Sequence, residues 1–252
     1  MRPRTAARGF RMRPLQRAGE AGGANVRAMR TNRHDEPRWH AAVAVLLAIA
    51  LYVTLPPRLA VGPLWLLPVL LLVIMVPLNV VAPRRRDESI MVRTASITVV
   101  AILNVFNVLT IVLLFADLLS PRPHRTITGE LLLLAAVQIW LTNVIVYALW
   151  YWEIDGSGPD EREDCSFEEL PLRTSFLFPQ MAMPSDLRAR MRWRPRIIDY
   201  VFLSFNTATA FSPTDTFPLT PLAKMLMMGE SLTSLITIAV IAGRAINILG
   251  AG

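Results

Sequence analysis

The sequence predicts an all-α, polytopic integral membrane protein with five full spans and a re-entrant pore-like segment. Three observations carry that expectation. Hydrophobic residues make up 53% of the 252 and charged residues only 18%, below the roughly 25% usual in soluble domains. Several apolar runs approach or exceed the roughly 20 residues that span a bilayer. The formal charge of +7 is concentrated beside those runs, as topology signals are. That placement points to a lipid bilayer as partner and away from nucleic acid.

Residues 1–38 are rich in Arg, with Gly, Ala and Pro interspersed and no sustained apolar face. Such composition reads as a disordered basic tail, with a mitochondrial-type presequence as the alternative. A four-helix membrane domain is expected over 39–152. His40–Leu55 is its first apolar run, short for a span and ended by Pro56-Pro57. Pro63–Ala82 is the second, with Pro63 near a helix start and Pro68 and Pro77 as kinks. A basic loop from Pro83 to Arg93 precedes the third span, Thr94–Leu119. The turn Ser120–Thr128 leads to the fourth, Gly129–Trp152, which ends in Tyr147, Trp150, Tyr151 and Trp152, read as an interfacial aromatic belt.

A polar loop covers 153–196, acidic first and basic last. Asp155, Asp160 and Glu163 lack the spacing of a twelve-residue calcium loop, so a solvated acidic loop is the reading. The segment 174–183 is too short to cross and is expected at the interface. Residues 197–252 are expected to hold the pore-like segment and an inner helix, Leu222–Leu249. Arg-rich flanks mark the cytoplasmic side. The tail, the 83–93 loop and Arg188–Arg196 agree on one orientation, with a cytoplasmic N-terminus in a bacterial plasma membrane. Residues 197–217 then either cross fully or dip in and return. If the short 40–55 run does not span, the sidedness of everything after it reverses.

Chemistry-bearing constellations are sparse. Cys165 is the sole cysteine, and its neighbours are acidic, which disfavours a thiolate. His34, His40 and His124 show no ligand spacing. Neither a nucleophile–base set nor a phosphate-binding glycine loop is visible. No catalytic residue, cofactor or metal site is expected, and the chain does not read as an enzyme. Asn104 and Asn107 share one helix face, and Gln138, Thr142 and Asn143 nearly share another. Interhelical hydrogen bonding accounts for such groups. Glu230, about two turns into the last helix, needs a partner, water or a proton. It reads as a cation or proton site, or as a buried hydrogen bond to Ser204 or Thr207.

The line Asp199–Lys224 reads DYVFLSFNTATAFSPTDTFPLTPLAK. Hydroxyls and a carboxylate at bilayer depth are costly unless they line a cavity or pack against protein. Asp199, Ser204, Phe205, Thr207, Thr209, Asp215, Pro218, Thr220, Pro221 and Leu222 match, without a gap, the pattern D-x-x-Y-F-S-F-x-T-x-T-T-V-G-Y-G-D-x-x-P-x-T-P-L-G-R. In these residues the chain resembles the pore region of the two-transmembrane potassium-channel superfamily, over about 50 residues. The resemblance implies a pore helix, a filter and an inner helix, with a homo-oligomer, a tetramer by analogy, enclosing a path for monovalent cations. Thr207, Thr209, Ser212, Pro213, Thr214 and Asp215 then occupy filter-like positions, and Glu230 an inner-helix polar position. The family's filter glycines are replaced here by Ser212 and Thr214, and its Tyr by Pro213. Without the glycines, and with Pro213 fixing φ, a potassium filter is not expected. A weakly selective pore, a path for something else and a closed remnant stay open. Over more of the chain, an uncharacterised bacterial membrane family, domain of unknown function 1345, is similar: Tyr147, Ala148 and Tyr151 end the fourth span, Phe178-Pro179 follows, and a degenerate pore segment comes next. It implies architecture rather than an activity. A non-conducting scaffold or accessory subunit is the alternative function.

Overall fold

The computed structural model describes residues 39–81, 88–119, 129–165, 169–191, 193–209 and 215–250. The tail 1–38 and the filter-like Ser212, Pro213 and Thr214 lie outside them. Long apolar runs with few Pro become helices, and the chain is mostly helical: α1 (Trp39–Val53), α2 (Leu66–Val81), α3 (Glu88–Leu119) and α4 (Gly129–Ile154), then the short α5 (Pro159–Asp164), α6 (Leu170–Arg173) and α7 (Ser185–Met191), then α8 (Ile197–Thr209) and α9 (Pro221–Gly250). Two 3-10 turns, Asp155–Ser157 and Pro179–Ala182, and two strands of two residues, β1 (Phe176–Leu177) and β2 (Phe217–Pro218), complete the described part. Among the described residues, three helical stretches are long and apolar enough to cross a membrane: Ile90–Asp117, Glu130–Ser157 and Pro221–Gly243. With 15 and 16 residues, α1 and α2 are shorter than a full crossing needs.

The hub is α4, which packs against α1, α3, α8 and α9. Every residue from Thr142 to Leu149 is buried, as expected for a helix apolar on all sides and surrounded by others. This corrects the aromatic-belt reading. Tyr147, Tyr151 and Trp152 are buried, and Trp150 is half-buried. Their rings stay inside because helices and the 153–196 loop close over that end of α4. Polar groups join the helices, too: Asn107 Nδ2 donates to Asn143 Oδ1 between α3 and α4 at 3.0 Å. Gln138 Nε2 donates to Thr54 Oγ1 just past α1 at 3.1 Å.

The acidic loop is likewise not simply solvated. Glu153 and Asp155 are buried. Phe176, Phe178 and Met181 of the 174–183 segment are buried as well, so that segment packs onto protein. Phe176 lies between Tyr151 and Tyr200, with ring centroids 5.0 and 6.5 Å away. Phe178 meets Tyr200 edge-on at 5.4 Å. Such aromatic pairs add about 0.5–1.5 kcal/mol beyond their buried area.

Candidate functional site

The site is built by α8, the strand pair and the start of α9, all hung on α4. Helix α8 begins after Arg196, whose backbone N–H donates to Asp199 Oδ2 at 2.7 Å. This is half of a capping box, and it gives Asp199 a structural role. From there Tyr200, Leu203, Ser204, Thr207 and Ala208 turn to the inside, the i, i+3, i+4, i+7, i+8 stripe of one helix face. Ile198, Phe202 and Phe205 occupy the opposite, exposed side. Helix α9 starts at Thr220-Pro221. The Thr220 hydroxyl oxygen accepts from Ala223 N at 3.3 Å, and Pro221 takes the first helical position.

Asp155 ties both ends of the segment 197–217 to one place. Its Oδ2 accepts from the Tyr200 hydroxyl at 2.6 Å, in the first turns of α8. Its Oδ1 accepts from the backbone N–H of Ser175 and, at 3.3 Å, of Phe176. That backbone opens β1, which pairs antiparallel with β2, Phe176 opposite Pro218 and Leu177 opposite Phe217. Leu219 N also donates to Ser175 O at 2.8 Å. The chain therefore leaves the C-terminal end of α4 as α8 and is back at that same end at Phe217. The thirteen residues of α8 reach about 20 Å.

Arg162 completes this end. It is buried, and its Nη1 donates to Trp152 O and Asp155 O, the last carbonyls of α4 and the turn beyond. The guanidinium stacks near Trp152 and Tyr200, at 5.9 and 5.3 Å from the ring centroids, and acts electrostatically on the Asp155 carboxylate. A cation at a helix C-terminus is favourable, and one buried charge answers the other. Gly156 (φ 55°) makes room: a Cβ there would stand 2.6 Å from Arg162 Cγ. Arg194 in turn donates to Arg162 O and Cys165 O.

A second polar cluster lies deeper. Glu230 is fully buried in α9. It is held by the Tyr151 hydroxyl at Oε2 and by Ser204 at Oε1. Ser204 Oγ also stands 2.7 Å from Val144 O. The partner expected from the sequence, Ser204, is present; Tyr151 was not foreseen. Thr207 is buried, and its hydroxyl donates to Leu203 O at 2.9 Å, within its own helix. Thr209 is half-buried and donates to Asn206 O at 3.0 Å. Asp215 is exposed. The structure thus separates the predicted residues: Thr207 and Glu230 are buried, and Asp215 is exposed. Sequence reasoning missed Asp155, Arg162, Tyr151 and Tyr200. The signal for the tyrosines was there: Tyr147 and Tyr151 are four apart on α4, and Tyr200, Ser204 and Thr207 share one face of α8.

Among the described residues, no group of three or more His, Cys, Asp or Glu converges as metal ligands. No protein-family model matches the chain, and no curated protein or solved structure is significantly similar to it.

Proposed function

We propose that the chain is a channel-like integral membrane protein whose residues 197–217 form a re-entrant segment, with the three long helices Ile90–Asp117, Glu130–Ser157 and Pro221–Gly243 crossing and the shorter α1 and α2 packed beside them. In this reading α8 is the pore helix and α9 the inner helix of a homo-oligomer. The observation that carries it is the shared anchorage of the segment: Tyr200 at its start and β2 at its end both connect to Asp155. A helix that starts at one end of α4 and a strand pair found at that same end are compatible with the layout that the potassium-channel likeness implies. The exposed side of α9 is also compatible. Leu222, Met225, Met228, Leu232 and Leu235 are each more than half exposed, and that apolar face would line a cavity or meet a neighbour. Oxygens for a weakly selective cation path would come from Ser212, Thr214 and Asp215 at the return.

A second reading, a non-conducting scaffold of the same architecture, is favoured by a specific observation. The hydroxyl-bearing face of α8 is turned into its own protomer, where Ser204 and Thr207 are buried. Two experiments decide. One copy cannot enclose a path, so a strict monomer by mass measurement in detergent removes the pore. Flux of potassium, sodium or protons in proteoliposomes supports conduction, and none over several voltages and pH values leaves the scaffold. Reporter fusions at residues 160 and 252 then fix sidedness. Opposite faces are expected if the segment dips and α9 crosses. The same face for both would require the segment to cross and would end the re-entrant reading.

A further inference from the structure

Glu230 presents a proton-counting problem that its surroundings solve in one way. Ser204 has one hydroxyl proton and stands between two oxygens, Val144 O at 2.7 Å and Glu230 Oε1. A carbonyl can only accept. If Ser204 donates to Val144 O, the Glu230 oxygen facing it must carry a proton. If Ser204 donates to Glu230, two acceptor oxygens are left 2.7 Å apart at Val144. Tyr151 donates to the other carboxyl oxygen, so that side needs no further proton. The fully paired order runs from Glu230 to Ser204 to Val144, with Tyr151 donating to Glu230.

The charges around the group agree. From α4 it faces Tyr151 and, beyond it, Tyr147, and from α8 it faces Ser204. Among the described residues, no Arg, Lys or His acts on it. Arg162 is engaged with Asp155 at the loop end, and Lys224, near the start of α9, is exposed. An ionised carboxylate buried without a cation costs several kcal/mol.

We propose that Glu230 is a proton-binding site: the folded protein holds it as a neutral acid that donates to Ser204 and so clamps α8 to α4 and α9. Its ligand is the proton itself, and removing it sets acceptor against acceptor at the junction where α8 is held. The inference concerns one protomer and stands whether or not an assembly conducts.

The test is infrared spectroscopy on full-length protein in lipid vesicles, with glutamate carboxyls selectively labelled with carbon-13. At neutral pH a neutral-acid carbonyl stretch, shifted in heavy water, is expected in the wild type. Glu153→Gln should keep it and Glu230→Gln should remove it. The amide of Glu230→Gln can donate to Ser204 and accept from Tyr151, so its folded-to-unfolded ratio should stay within about threefold of wild type, whereas Glu230→Ala should lose more than tenfold. A spectrum with only ionised glutamates overturns the proposal. So does a band that persists in Glu230→Gln. Should that variant not fold, the labelled wild type and Glu153→Gln decide: a band surviving in Glu153→Gln supports the proposal, and its loss there overturns it.

Discussion

Replacing Asp155 with Ala is expected to be among the most damaging single changes in the chain. The side chain is fully buried and accepts from three donors, Ser175 N, Phe176 N and the Tyr200 hydroxyl. Each buried donor left without an acceptor costs about 1–3 kcal/mol. The Tyr200 hydroxyl can rotate, so two backbone N–H groups dominate that part. Arg162 would also lose the carboxylate that it acts on electrostatically, a smaller share because its hydrogen bonds go to backbone carbonyls. These losses share one site and do not add, so the expected total is about 4 kcal/mol. Asp155→Asn is the informative partner. It keeps an oxygen for the two N–H groups and loses the charge, so about 2 kcal/mol is expected. The assay is reversible unfolding in mixed micelles, with limited proteolysis across 174–220 as a local readout. The Ala variant should expose that stretch to protease before the α3–α4 core opens, because the carboxylate ties α8 and β1 to α4. An Ala variant within about 0.5 kcal/mol of wild type, the range of ordinary surface changes, would refute the account. Equal losses for Ala and Asn would refute the share assigned to the backbone donors.

Other outcomes follow from single contacts. Gly156→Ala should destabilise by about 2 kcal/mol, since a Cβ would collide with Arg162 Cγ and the backbone is left-handed there; thermal unfolding in detergent checks this. Asn143→Leu removes the bond from Asn107 and should cost about 1 kcal/mol, measured by the same unfolding equilibrium. Gly229→Leu should cost about 1–3 kcal/mol, because even a Cβ would come within 3.1 Å of the Tyr147 hydroxyl, while Gly229→Ala should stay near neutral as its helical gain offsets the squeeze. Buried Cys165 should react with a maleimide at least tenfold more slowly in the folded protein than in denaturant, read by mass shift.

Most of the helical content was legible along the chain. The runs at His40, Thr94, Gly129 and Leu222 became α1, α3, α4 and α9 with ends moved by at most six residues, and the third grew backward to Glu88. Length, apolarity and Pro placement are local properties, so one sequence suffices for them. Helix starts were local too, as at Thr220-Pro221 and at Asp199. Ser204 as the partner of Glu230 was accessible because two buried polar groups flanking one turn have few other ways to be satisfied.

What the chain alone did not reveal was which groups meet across long separations. Asp155 is 45 residues from Tyr200, and Tyr151 is 79 from Glu230. Composition made the 153–164 stretch look like solvated acid, yet one carboxylate there is a buried anchor. The aromatics at the end of α4 looked like headgroup anchors, yet neighbouring helices and the loop surround them. Burial depends on what packs on the other side, and hydropathy along a chain contains no term for that. The sequence by itself settled how much helix forms and where it starts and stops, through short-range propensity and capping. Only the tertiary structure decided that α8 and β2 return to one end of α4, because that requires a single carboxylate to bond backbone and side chain brought together from three distant segments.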